Sequence, residues 1–236
     1  MSQILFINKV LLCGTVRTDP QLQLLSNNTE LCYFSLSFPE RWVSNDGQPM
    51  ERMNWVKVEV LGKPGVEAHK KLTKGKEIFI DGYLRYEKYT KDLKERSIAK
   101  LRVFNLMPIP SDGENQLMIN KVLISGVVGT SPQMQKLSNC TNLSYFSLSV
   151  PEQWVSKDGH PMERNNWFKV ESLGSGAGEV FNTLKKGQEC FIDGYLRNEK
   201  YTKNGEERTI LKIRTYSVNS IPWVGDIHGI QSARED

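Results

Sequence analysis

The residues in this chain best suited to chemistry are six aromatics in two sets. Trp42, Trp55 and Tyr89 return 112 positions later as Trp154, Trp167 and Tyr201. Tyr89 and Tyr201 each lie in a Glu-Lys-Tyr-Thr-Lys run, with Arg85 and Lys88 just before the ring in the first set and Arg197 and Lys200 in the second. Flat rings among cations suit a single-stranded nucleic acid: a base stacked on a ring is worth ~1–3 kcal/mol, and the cations meet phosphates. The competing reading is that such rings cover a small hydrophobic core or a subunit contact, since Trp is seldom fully exposed. Three aromatic positions repeated beside basic residues favour stacking.

Other chemistries find little support. No Gly-x-Ser-x-Gly, Walker A or His-Glu-x-x-His motif occurs. Gly174-Ser-Gly-Ala-Gly178 resembles a nucleotide-binding turn, but its counterpart Gly62-Lys-Pro-Gly-Val66 breaks the pattern. Glu40 and Glu152, or Asp81 and Asp193, could in principle hold a metal or move a proton, but Asp-Gly inside a strand reads better as a bulge. The cysteines Cys13, Cys32, Cys140 and Cys190 form no Cys-x-x-Cys pair, and each faces a different residue type in the other copy. No catalytic residue, metal site, disulfide or cofactor is expected, and reduced thiols point to the cytoplasm.

The elements that must position the rings are strands. Leu31–Phe38 alternates, with Cys32, Phe34, Leu36 and Phe38 on one face. Trp55–Leu61 places Val56, Val58 and Val60 opposite Trp55, Lys57 and Glu59, so the indole points away from the core. Asp46-Gly47 between these strands is a turn signal. A short helix is expected over 65–74, stopped by Gly75. Ile78–Tyr89 reads as a long strand with Ile78, Ile80 and Leu84 inward and Tyr83, Arg85 and Tyr89 outward. A last strand runs over Ser97–Phe104, and Phe6–Arg17 supplies the first. Five strands with a helix between the third and fourth make an OB-fold, a partly open Greek-key barrel.

The chain writes this module twice. Ile7–Arg102 overlays Ile119–Arg214 without a gap, with roughly 60 of about 96 positions identical. The fold class is therefore mainly β, two tandem OB-folds: a first module over 1–110, a short linker at 111–118, a second module over 119–222, and a tail at 223–236. The 236 residues suffice for two cores. Mean hydropathy is −0.45, and no run approaches the ~18 apolar residues of a membrane helix. The start resembles a lipoprotein signal only superficially: Lys9 interrupts it, and the same pattern recurs at Ile119, so it reads as a strand. The net charge of +4 allows a polyanionic partner. All of it lies in residues 1–112, with 17 basic and 13 acidic groups against 14 of each in the remainder. The first module is thus expected to show the steeper salt dependence.

These residues resemble a known family. Asn8-Lys-Val-Leu-Leu-Cys-Gly14, Asp19-Pro20, Glu40-Arg-Trp42, Asn54-Trp55, Leu61-Gly62, Lys74-Gly75, Ile80-Asp-Gly82 and Leu84-Arg85 look like the bacterial single-stranded DNA-binding proteins. The second copy carries the same set, with Ser131 in place of the acid before Pro132. The resemblance implies stacking roles for Trp42, Trp55 and Tyr89 and for Trp154, Trp167 and Tyr201. A further family aromatic falls at Leu61 and Leu173, where no ring is present. It also implies four OB-folds per assembly, reached here by a homodimer. Family members end in an acidic tip finishing in Pro-Phe that recruits repair and replication enzymes. The last residues here carry none, so such recruitment is not expected.

The resulting expectation is sequence-nonspecific binding and protection of single-stranded DNA in replication, recombination or repair, without enzymatic activity. Two alternatives stand beside it: an OB-fold interaction factor of replication restart whose aromatic faces bind protein, and a small nuclease built on paired acids.

Overall fold

In the computed structural model the described residues are 6–44, 46–91, 94–110, 117–156, 158–203 and 205–221. Residues 111–116 of the expected linker and the expected tail at 223–236 lie outside them.

The alternation of the first copy becomes a closed sheet. Its elements are β1 (Asn8–Val16), β2 (Gln21–Leu24), β3 (Glu30–Val43), β4 (Pro49–Leu61), α1 (Gly62–Lys71), β5 (Glu77–Lys91) and β6 (Lys94–Pro108). The strand order is β2-β3-β4-β6-β5-β1, and β3 also returns to pair with β1 at Thr15 and Ser37. The β4–β6 pairing is parallel, whereas β3–β4 and β5–β6 are antiparallel. Cys32, Phe34, Leu36 and Phe38 fill the interior with Val56, Val58, Ile78, Ile80, Leu84 and Leu101. Burying such side chains supplies ~1.5–3 kcal/mol each.

The second copy repeats the elements as β7 (Asn120–Val128), β8 (Gln133–Lys136), β9 (Asn142–Val155), β10 (Pro161–Leu173), α2 (Ser175–Thr183), β11 (Glu189–Lys203) and β12 (Glu206–Ser220). Here β9 pairs with β8, β10 and β7. Phe146, Leu148, Val150, Val170 and Ile192 form its core. The chain is mainly β, two tandem OB-folds.

Three details depart from the pattern read in the sequence. The expected first strand is present as β1, but a further short strand that the five-strand reading lacked follows it, separated from it at Asp19-Pro20, where Pro20 lacks a donor and restricts the residue before it. This added strand, β2, pairs with β3 from Gln21 opposite Tyr33 to Leu24 opposite Glu30. The helix starts and ends earlier than 65–74. Leu72 turns to extended backbone and is 3% exposed, so core burial ends the helix before Gly75 is reached. Gly75, at φ +92°, serves the following turn and donates its N–H to Val16. The third detail is β3, which continues past Pro39 and stays paired with β4 out to Val43 opposite Pro49. The Asp46-Gly47 turn closes that hairpin, with Gly47 at φ +76°.

The bulge expected at Asp81-Gly82 is present as a register shift between those residues. A Cβ on Gly82 would stand 2.2 Å from the Arg102 carbonyl oxygen, so only glycine allows that approach.

The compact units do not follow the repeats. One unit comprises Asn8–Leu123 together with Gly194–Arg214, and the other is built on Ile124–Asp193. The outer part of the β11–β12 hairpin, second copy in sequence, folds with the barrel of the first.

Candidate nucleic-acid interface

The long β3–β4 hairpin carries both tryptophans of the first copy, on opposite faces. Trp42 keeps the parity of Phe34, Leu36 and Phe38 but lies beyond the barrel, so the face that buries Phe38 exposes Trp42 to 38%. Met50 lies across from it, and the Arg52 guanidinium sits 5.7 Å from its ring centroid. The second copy repeats this arrangement: Trp154 is 39% exposed, lies opposite Met162, and has Arg164 at 5.2 Å. A guanidinium over one face of an indole fixes the ring and places a cation beside the face left for a base.

Trp55 faces outward from β4 with Lys57, as its parity requires, and is half-buried. The covering comes from the second copy's hairpin. The Asn198 side-chain carbonyl accepts the Trp55 backbone N–H at 2.5 Å, and the Asn198 N–H donates to Asn54 Oδ1 at 2.8 Å. Asn54 is fully buried, so this exchange satisfies an amide that has no access to water. Trp55, Tyr86, Tyr89, Asn198 and Tyr201 line one cavity of about 220 Å³. Tyr89 is 41% exposed and Tyr201 39%. Aromatic residues from both copies thus surround a single cleft.

Trp167 has a different setting. A Cβ on Gly129 would come within 2.2 Å of its Cζ3, so the indole packs against bare glycine backbone that no other residue would leave room for. Arg17 occupies the matching place in the first copy. Trp167 is exposed with Lys169 on its face, and the Lys169 ammonium donates to Ser147 at 3.0 Å.

The cations divide into two kinds. Lys88 is exposed, and so is Lys200, which pairs with Glu207 at 2.9 Å across the hairpin. Arg197 has a side chain 18% exposed and pairs with Glu40 at 3.5 Å. Burial, with Arg214 and Arg52 nearby, pushes its guanidinium below the usual arginine value, against the pull of Glu40. It therefore ties the second copy's hairpin to β3 rather than standing open to solvent. Arg85 is half-buried at the matching point of β5, opposite Lys100.

Behind Lys57 lies a charge cluster that alternation alone misplaces. Glu59 shares the outward face of β4 yet is 4% exposed, because the parallel strand β6 brings two cations onto it. Its carboxylate takes Lys100 and Arg102 at 2.6 Å each. Burial raises the Glu59 pKa, but the hydrogen bonds from Lys100 and Arg102 outweigh it and hold the carboxyl below its ordinary value.

Tyr86 was not singled out by the sequence pattern, because it holds the inward parity of Leu84. Its phenol hydrogen-bonds the Ser97 hydroxyl at 2.6 Å, and its ring lines the aromatic cleft. Among the described residues no group of three or more His, Cys, Asp or Glu side chains could hold a metal ion. No helix among them is long and apolar enough to cross a membrane.

A profile of the single-strand binding protein family matches residues 7–107 and 119–221. The chain is 24% identical over 213 residues to the single-stranded DNA-binding protein of Thermus aquaticus, covering 86% of this chain and 79% of that one. It is 23% identical over 228 residues to the protein of the same description from Deinococcus radiodurans, covering 91% and 75%. The crystal structure of the wild-type Thermus aquaticus protein matches the fold with a TM-score of 0.75 at 20% identity, over 93% of this chain and 95% of that one.

Proposed function

The chain belongs to the single-strand binding protein family, and we propose from that premise how it does its work. It binds single-stranded DNA and is not an enzyme. Bases stack on Trp42, Trp55 and Tyr89 of the first copy and on Trp154, Trp167 and Tyr201 of the second. Lys88 and Lys200 meet phosphates, while Arg85 and Arg197 brace the hairpins that present the tyrosines. The binding units are the modules near 1–110 and 119–222, joined at 111–118. Stacking reads only the π face that every base has, so binding is sequence-nonspecific. Coating the strand in this way blocks re-annealing and nuclease attack during replication, recombination and repair in the cytoplasm.

The observation that carries this reading is the recurrence, in both copies, of solvent-open rings with a cation at hand, two of which, Tyr89 and Tyr201, share one cleft with the half-buried Trp55. Titration with oligo-dT should quench the intrinsic tryptophan fluorescence, and binding should weaken steadily as salt rises. Trp42→Ala and Trp154→Ala should each weaken binding by roughly tenfold, within the ~1–3 kcal/mol of one stacked base, and leave the thermal midpoint unchanged. Absence of quenching in the wild-type chain would refute the function. Unchanged affinity in both variants would remove these two rings from it.

The active assembly is a homodimer with four OB-folds. Exposed rings in each unit support this: Phe104 on β6 is 64% exposed and stacks on Tyr83 at 4.9 Å, and Tyr216, its repeat counterpart, is 66% exposed. Rings this open, away from the stacking residues, suit burial against a second copy. Light scattering should give twice the 27.0 kDa chain mass, and Phe104→Glu should return it to that of one chain. A wild-type mass of one chain would rule the dimer out.

A further inference from the structure

We propose that Tyr33 is an additional base-stacking position on the outer wall of the first barrel, with Tyr145 as its counterpart in the second. This rests on single-stranded DNA being the ligand.

Tyr33 sits in β3 between Cys32 and Phe34, both of which are at most 2% exposed, yet its own ring is 41% exposed. Tyr145 stands between Ser144 and Phe146 in the same way, 37% exposed beside neighbours at 0% and 1%. The phenol bodies therefore lie outside both barrels, where they contribute little to the cores. A cavity of about 590 Å³ opens along Tyr33, lined by Thr18, Gln21, Gln23, Ser35 and Lys57 among others. That space is ample for a nucleotide.

Register places this ring in line with a stacking residue. Tyr33 lies opposite Glu59 of β4, and Trp55 stands four residues back on the same face of that strand. At the strand rise the two are offset by about 13 Å along the strands, a span covered by a few nucleotides. Lys57 lies between them with an exposed side chain, positioned for the intervening backbone. Leu61, one step further along the face, has no π surface, so Tyr33 is the next ring a strand leaving Trp55 would meet on this side.

The local charge favours a base over a phosphate at the ring itself. Asp19 lies at the cavity rim and accepts the Lys74 backbone N–H, and the Glu59 carboxylate already holds Lys100 and Arg102. A phosphate would meet an anion here, whereas a neutral base finds a ring face and the amide groups of Gln21 and Gln23. In the second copy Ser131 takes the place of Asp19, which removes that rim anion.

The test uses the full chain. Oligo-dT carrying 5-iododeoxyuridine is irradiated with the wild-type protein, and the cross-linked peptides are mapped by mass spectrometry. Tyr33→Ala, Tyr33→Phe and the double variant Tyr33→Ala with Tyr145→Ala are titrated alongside. Cross-links at Tyr33 or Tyr145 are expected, with binding about tenfold weaker in Tyr33→Ala, weaker still in the double variant, and retained in Tyr33→Phe. Wild-type quenching without a cross-link at either tyrosine, or alanine variants that bind as wild type, would overturn this proposal and leave the DNA-binding reading intact. A wild-type chain that fails to bind oligo-dT would overturn both. The cross-link is read on unmodified protein, so it does not depend on the variants folding.

Discussion

Most outward residues of this protein act by what they offer to solvent, but Glu59 acts by what it withholds. It holds two cations of β6 against β4 from a nearly buried position, at the parallel pairing of these two strands. Glu59→Gln would keep the shape but leave Lys100 and Arg102, 19% and 13% exposed, facing a neutral amide. Breaking a fully buried pair costs about 3–5 kcal/mol. Partial exposure of the two cations and the second partner of Lys100, Glu87, reduce this to roughly 2–3 kcal/mol. The pH dependence has a definite sign. A carboxyl whose folded pKa is lowered adds stability at pH above the ordinary glutamate range, and that stability is lost as pH falls through the lowered value. Thermal midpoints of wild type and Glu59→Gln should therefore differ most near neutrality and converge in acid. A gap that stays constant with pH would show that the carboxylate charge contributes nothing.

Among the elements, the β11–β12 hairpin has the most unexpected task. Its outer half, Gly194–Arg214, packs with the first copy, and Asn198 is the fastener. The first copy has Tyr86 at the matching position, so the two hairpins are built differently although they are recognisably duplicates. In Asn198→Ala the backbone bond to Asn54 can persist, but the Trp55 N–H loses its acceptor in a half-buried site. An orphaned donor of this kind costs about 1–3 kcal/mol. Hydrogen exchange should quicken at the Trp55 amide and along 196–203, while protection in the core of β3 stays as it was. Unchanged exchange at Trp55 would mean that water replaces Asn198 at no cost and that the fastening lies elsewhere. Because Tyr201 enters the aromatic cleft on this hairpin, the same variant should also weaken oligo-dT binding.

For the whole molecule, the uneven charge of the two copies has a measurable consequence. Residues 1–112 carry +4 and the remainder carries none, so counterion release on binding DNA should come mainly from the first copy. The full chain with Trp154, Trp167 and Tyr201 all changed to Ala must bind through the first copy. It should lose affinity with salt more steeply than the chain in which Trp42, Trp55 and Tyr89 are so changed. Equal slopes of log affinity against log salt would show that local cation placement outweighs net charge.

What was legible in the sequence is whatever a strand writes along its own length. Period-two alternation identifies the core faces of β3 and β4, the outward Trp55 and the duplicate of each, because which side of a strand a residue takes depends only on its parity. Glycine at Asp81-Gly82 marks the bulge for the same local reason. Non-local pairing decided the rest. Parity sets Glu59 outward, and the parallel approach of β6 then buries it. Arg197 reads like Lys200, but the packing of its hairpin against β3 hands it to Glu40. The helix ends where the core takes Leu72, ahead of the glycine that marked its stop. The cleft of Trp55, Tyr89 and Tyr201 draws on residues up to 146 positions apart, brought together only when a hairpin of one copy folds with the barrel of the other.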